Sequence, residues 1–158
     1  MIIKEYRTEL DEDNKNTLCE IGHYNINKEA FNTPYKVSCF AKEKMHLEKR
    51  AEEYCYIVGL NIRNQPMGLF EISHGLVGSS LIGVREIFIR LLLIGAVNFV
   101  MIHNHPSGEV SPSPEDCRAT QRLIDAGKLM GVTMVDSIIV CEYGYHSLRE
   151  HEDCKFKD

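Results

Sequence analysis

No two of the six cysteines in this 158-residue chain form a C-x-x-C pair; they stand apart at Cys19, Cys39, Cys55, Cys117, Cys141 and Cys154. That excludes a structural zinc knuckle, and the wide spacing does not suit a small disulfide scaffold. The opening MIIKEYRTEL carries charges where a secretion signal needs an apolar run. A cytoplasmic protein with reduced thiols is the expectation. The longest apolar stretch, Ile87 to Ile102, is interrupted by Arg90 and falls short of a comfortable bilayer span, so no membrane partner is expected. There are no internal repeats and no low-complexity segments. Excess positive charge is also missing. The formal net charge is −5, so unspecific attraction to nucleic-acid backbones is not the default reading.

Several catalytic signatures are absent as well. There is no H-E-x-x-H, no G-x-S-x-G elbow and no G-x-x-x-x-G-K-[ST] phosphate cradle. The P-C-x-x-C half of the zinc-deaminase signature is missing too.

What is present fits one α/β domain, a layered mixed β-sheet flanked by helices. A length of 158 residues supports a core of its own and leaves little room for a second. MIIKEYRTEL reads as an edge strand, followed by a loop over Asp11 to Asn16. Pro34 to about Arg50 reads as a helix. Tyr54 to Ile62 and Met67 to Ser73 read as a hairpin that offers an exposed edge. A glycine- and serine-rich loop covers Gly75 to Gly83. Val84 to Ile94 reads as an apolar helix, and Asn98 to Ile102, apolar after its first residue, as a central strand covered on both faces. Ser113 followed by Pro114 opens a helix that Gly131 closes. Val132 to Cys141 is a further strand, and Tyr145 to Leu148 a short last one. The division expected is an extension over 1–33, the domain proper over 34–150, and a charged, frayed tail over 151–158.

The chemistry concentrates after the central strand, in HNHPSGEVSPSPED. His103 and His105 are two residues apart, and in extended chain such side chains point the same way. Asp116 lies in the first turn of the next helix, where the intervening loop can fold it back beside the two rings. Two neutral imidazoles and a carboxylate suit one catalytic zinc ion with a fourth position left to water. Zinc lowers the pKa of such a water to about 7.

H-x-H, seven residues, Ser, two residues, Asp is similar to the signature of the JAB/MPN metalloenzymes, also called JAMM proteases, whose fold is cytidine-deaminase-like. The full string, with REIF upstream, resembles the RadC branch of that family over Pro34 to Glu150. The resemblance implies a catalytic glutamate at the first core strand. Glu52 and Glu53 are the candidates, and Glu53 is preferred because an aromatic residue, Tyr54, follows it. Its implied role is general base toward the metal-activated water, then proton donor to the leaving amine. Ser113 would by the same carry-over help hold an oxyanion, in competition with its role as helix cap. Ser107, Gly108 and Pro106 are expected to set turn geometry. Asn104, pointing away from the histidines, is expected to fix loop hydrogen bonds, and Arg85 to be structural or to contact substrate.

Two positions depart from the RadC-like pattern: Ser137 stands where an Asp-His pair would continue after Asp136, and His74 stands where a small or aliphatic residue is common. The helix-hairpin-helix region often found before the RadC catalytic domain has no counterpart in 1–33. The implied function is a zinc-dependent peptidase or isopeptidase acting on a peptide or isopeptide substrate. The alternatives are an accessory protein with DNA-repair partners and a metal-dependent nuclease.

Overall fold

The computed structural model describes residues 1–27, 30–75 and 83–156. Among these, seven strands form one mixed sheet. The hairpin of β1 (Ile2–Leu10) and β2 (Asn16–Asn25) comes first, then helix α1 (Pro34–Glu43) and a 3-10 turn, Leu47–Lys49. β3 (Glu53–Leu60), β4 (Pro66–Gly75), helix α2 (Val84–Leu93) and β5 (Asn98–Asn104) follow. Helix α3 (Pro114–Met130), β6 (Thr133–Cys141) and β7 (Gly144–Ser147) complete the order. The strands lie side by side as β2-β1-β4-β3-β5-β6-β7. β1 is parallel to β4 and β5 to β6; the other neighbours are antiparallel.

The sheet is covered on both faces because side chains alternate along each strand. Tyr56, Val58, Leu60, Val100, Ile102, Ile138 and Val140 pack with Val37, Phe40 and Ala41 of α1. Cys55, Ile57, Phe99, Met101 and Met134 pack with Ile87, Phe88 and Leu91 of α2 and with Leu123 and Ile124 of α3. Full cover goes with the apolar run Phe99 to Ile102 in β5, as a doubly buried strand requires.

Several expectations change. β1 is not an edge, since β2 lies outside it; the sequence NTLCEIGHYN, polar and half exposed, gives a strand no apolar alternation to announce it. The β3–β4 hairpin is interior, flanked by β5 and β1, so it offers no free edge. The helix expected to run to Arg50 ends at Glu43, and His46 takes a left-handed φ of 50° before the 3-10 turn. Over its described residues, 151–156, the tail is held rather than frayed: Cys154 and Phe156 pack against the α2/α3 cluster, and Asp153 Oδ2 accepts a bond from His146 Nε2 at 2.7 Å. The Gly75 to Gly83 loop lies, apart from its two ends, outside the described residues. No helix among the described residues is long and apolar enough to cross a membrane. All six cysteines are free.

Candidate metal centre

β5 continues two residues beyond its apolar run, so His103 and Asn104 belong to the strand itself. Alternation turns His103 toward α3, where it lies opposite Cys55 of β3 and Ile139 of β6 and is 3% exposed. His105 follows directly, its backbone N–H bonded to the Val140 carbonyl at 3.3 Å. The two Nε2 atoms stand 3.1 Å apart. Asp116 comes in from α3, with Oδ1 3.4 Å from His103 Nε2 and Oδ2 3.5 Å from His105 Nε2.

The loop between them sets the second ring. His105 Nδ1 lies 2.8 Å from the Glu109 carbonyl, which can only accept, so Nδ1 carries a proton and, in the neutral ring, Nε2 presents a lone pair. Gly108 holds the turn at a φ of +83° that favours glycine, and its N–H bonds the His105 carbonyl. Ser107 Oγ accepts from Glu109 N–H, which keeps that carbonyl in place. These residues do the turn work expected of them.

Ser113 and Asp116 form a reciprocal capping box at the start of α3. Asp116 N–H donates to Ser113 Oγ at 3.1 Å, while Ser113 N–H and its hydroxyl both donate to Asp116 Oδ2, at 2.7 and 2.6 Å. The cap therefore aims the Asp116 carboxylate at the two rings. Of the two roles open to Ser113, the structure shows the hydroxyl making the cap.

Glu53 begins β3, and its Oε1 is 3.9 Å from His105 Nε2. One ligand atom from each of Glu53, His103, His105 and Asp116 lies within 4.8 Å of the others. Glu52 supplies only its carbonyl, which accepts from Asn104 Nδ2 at 3.0 Å. Asn104 Oδ1 also accepts from Tyr54 N–H at 2.8 Å. Asn104 thus clamps the chain on either side of Glu53, a positioning role finer than the loop-fixing expected of it. Strand alternation was the signal: a residue between two side chains that face one point must face the other layer.

The electrostatics match this geometry. Burial alone would raise the Asp116 carboxyl, but hydrogen bonds with His103, His105 and Ser113 hold it well below the usual carboxylate range. Burial works against charge on His105, yet its bonds to Asp116 and the Glu109 carbonyl raise its pKa. Burial raises Glu53, opposed by the two histidines and assisted by Asp116. Ligand atoms around a tetrahedral ion at about 2.0–2.2 Å stand roughly 3.3–3.6 Å from one another. The carboxylate–imidazole separations of 3.4 Å, to Oδ1, and 3.5 Å, to Oδ2, fall in that range, and the 3.1 Å between the two Nε2 atoms lies just under it. Two imidazoles and a carboxylate are also the donor types zinc accepts.

The other residues singled out lie elsewhere. Arg85 is exposed and pairs with Glu86. His74 bonds Glu71 and stacks on Tyr54. Asp136 faces the α1 side, as its pairing with Val100 requires. A cavity of about 610 Å³, lined in part by Phe31, Val37, Val100, Arg149 and Phe156, sits toward the starts of β5 and β6 and contains none of the four clustered residues.

Residues 31–153 match the RadC-like JAB domain family. The chain is 37% identical over 130 residues to a UPF0758 protein of Alkaliphilus metalliredigens (strain QYMF), an alignment covering 82% of this chain and 53% of that one. It is 32% identical over 136 residues to a UPF0758 protein of Desulfitobacterium hafniense (strain DSM 10664 / DCB-2), covering 83% and 59%. A UPF0758 protein of Bacillus pumilus (strain SAFR-032) is 34% identical over 124 residues, covering 78% and 54%. The chain spans between half and three fifths of the length of these relatives.

Proposed function

Because the chain belongs to the RadC-like JAB domain family, we propose that it is a zinc-dependent peptidase or isopeptidase, with His103, His105 and Asp116 as ligands and Glu53 as general base. The observation that carries this reading is the convergence of two imidazole Nε2 atoms and a buried carboxylate with a second, unspent carboxylate beside them. Zinc bound there would acidify a water and polarise a carbonyl.

The residues divide the remaining work. Glu53 takes the proton of the attacking water on its carboxylate and returns it to the leaving nitrogen, which must depart as a neutral amine. Its partial burial favours this exchange, since a raised pKa makes it a better base than an exposed glutamate. Asn104 holds the strand on which Glu53 sits. Ser113 keeps its hydroxyl hydrogen on Asp116 Oδ2, and an oxyanion contact would require giving up that bond. We therefore assign Ser113 to holding the ligand.

Metal content tests the ligands and turnover tests the base. Elemental analysis should find about one zinc per chain in the wild type. His103→Ala, His105→Ala and Asp116→Ala should each lose it. Glu53→Gln should retain zinc while its hydrolysis of fluorogenic peptides and lysine isopeptides drops by about 10²–10⁴. A wild type that takes up no zinc, or a Glu53→Gln with full turnover, overturns the reading.

A further inference from the structure

Three atoms on the α3 side of the sheet are buried and have no hydrogen-bond partner among the described residues: His103 Nδ1, Thr120 Oγ1 and Ser137 Oγ. Thr120 and Ser137 are both 0% exposed. A polar atom stripped of water and left unmatched is costly, and most such atoms in folded proteins prove to be paired. Three in one region point to a shared partner.

The register brings two of them together. Met101 lies opposite Ser137, and His103 opposite Ile139. Met101 belongs to the apolar cluster under α2 and α3, so Ser137 and His103 face α3 with it. The helix brings the third. Thr120 is one turn beyond Asp116, on the buried stripe that continues through Leu123 and Ile124 into that same cluster. α3 leads from the end of β5 to the start of the parallel strand β6, so it runs back along β5. The step from Asp116 to Thr120 therefore goes from the His103 ring toward Met101 and Ser137.

The donor and acceptor chemistry is complementary. When His103 Nε2 gives its lone pair to a metal, Nδ1 carries the ring proton and needs an acceptor. Two hydroxyls offer acceptors and donors but belong to a helix and a strand that only meet through packing. A single water, which commonly makes about three hydrogen bonds in such places, can satisfy all three.

We propose that Thr120 and Ser137 hold a buried water that hydrogen-bonds His103 Nδ1, making both hydroxyls positioning residues for the ligand ring. The effect on metal affinity rests on the zinc reading above; the water itself does not. Outer partners of this kind fix the tautomer and orientation of a ligating imidazole, and their removal weakens metal binding by about 10–100-fold.

Two measurements on the full chain separate these statements. A high-resolution crystal structure of the metal-free protein should show a water within about 2.7–3.2 Å of the three atoms, absent in Thr120→Val. A dry site in the wild type overturns the proposal whatever the metal does. Zinc competition against a fluorescent chelator should give Thr120→Val and Ser137→Ala affinities about 10–100-fold below wild type, with Thr120→Ser close to wild type. Unchanged affinity in the first two variants, or equal loss in Thr120→Ser, removes the positioning role. If the wild type binds no zinc, the zinc reading has failed, and the crystallographic water alone decides the proposal.

Discussion

Asp136 is a buried carboxylate outside the metal cluster, and its surroundings explain why. Oδ1 accepts from Ser137 N–H at 2.7 Å and from Arg149 N–H at 3.1 Å; Oδ2 accepts from Ser147 Oγ at 2.6 Å. It ties the first half of β6 to the end of β7 and the segment after it. Asp136→Ala would strip three donors, two of them buried, of their acceptor and should cost about 3 kcal/mol. For a chain of this length that is a fall in Tm of roughly 6–12 °C. Asp136→Asn keeps an acceptor for both N–H groups and can donate to Ser147, so its loss should be much smaller. The pH dependence has a definite sign. Burial raises the Asp136 carboxyl despite its hydrogen bonds. The folded state then holds the proton more tightly than the unfolded chain, so this contribution is present below about pH 4 and is lost as pH rises through the raised value. Wild type should therefore gain stability relative to Asp136→Asn as pH falls through that window, measured by urea unfolding. A gap between them that widens against wild type on acidification would contradict this. The convergence of His103, His105 and Asp116 was readable because their spacing is a pattern of several residues. Asn104, Thr120 and Ser137 are single polar residues whose positioning work exists only once strand and helix are packed.

At the scale of elements, α3 is the piece that sequence describes best. Its start is written in Ser113 and Pro114, its stop in Gly131, which takes a φ of 69°. β5 was read too short because His and Asn are not strand formers; pairing with β3 carries it to His103 and pairing with β6 to Asn104. The long helix expected after Pro34 was read through Lys44 to Arg50, where Met45 and Leu47 are indeed buried but through a turn rather than a helical face. The cap of α3 joins local structure to chemistry. Ser113→Ala removes the acceptor for Asp116 N–H and the hydroxyl donor to Asp116 Oδ2. We expect a stability loss of about 1 kcal/mol, as for other N-cap serines. We also expect weaker zinc binding, because the ligand carboxylate loses one of its two anchors. Ser113→Thr should restore both. Thermal melts and chelator competition read the two effects separately, and a melt that falls without any change in zinc affinity would show that the cap supports the helix alone.

In the molecule as a whole, the sheet has one thin seam. β3, β5 and β6 are knit by ladders of six or more paired residues, whereas β1 meets β4 in register only at Glu5 and Leu69. Side chains do most of the joining there. Ile3 is fully buried in the α1 cluster, Tyr6 lies 6.0 Å from Phe70, and Tyr24 meets Phe40 edge-on at 5.7 Å. This hairpin occupies the extension read over residues 1–33, and composition could not show that the extension continues the sheet, because its strands are half solvated. The seam predicts an order of opening: amide exchange should be fastest in β1 and β2 and slowest in β5 and β6. It also predicts the outcome of deleting residues 1–27. The loss of Ile3 burial should cost about 2–3 kcal/mol, leaving the metal residues on β3, β5 and α3 in place. β4 would then be a ten-residue edge strand with Leu69 and Phe70 newly uncovered at its side. Such edges pair with other chains. The truncated protein should still take up zinc but elute in light scattering at a higher multiple of its own chain mass than the full chain does. If it elutes at the same multiple with an unchanged melting temperature, β1 and β2 are not structurally coupled to the rest of the sheet.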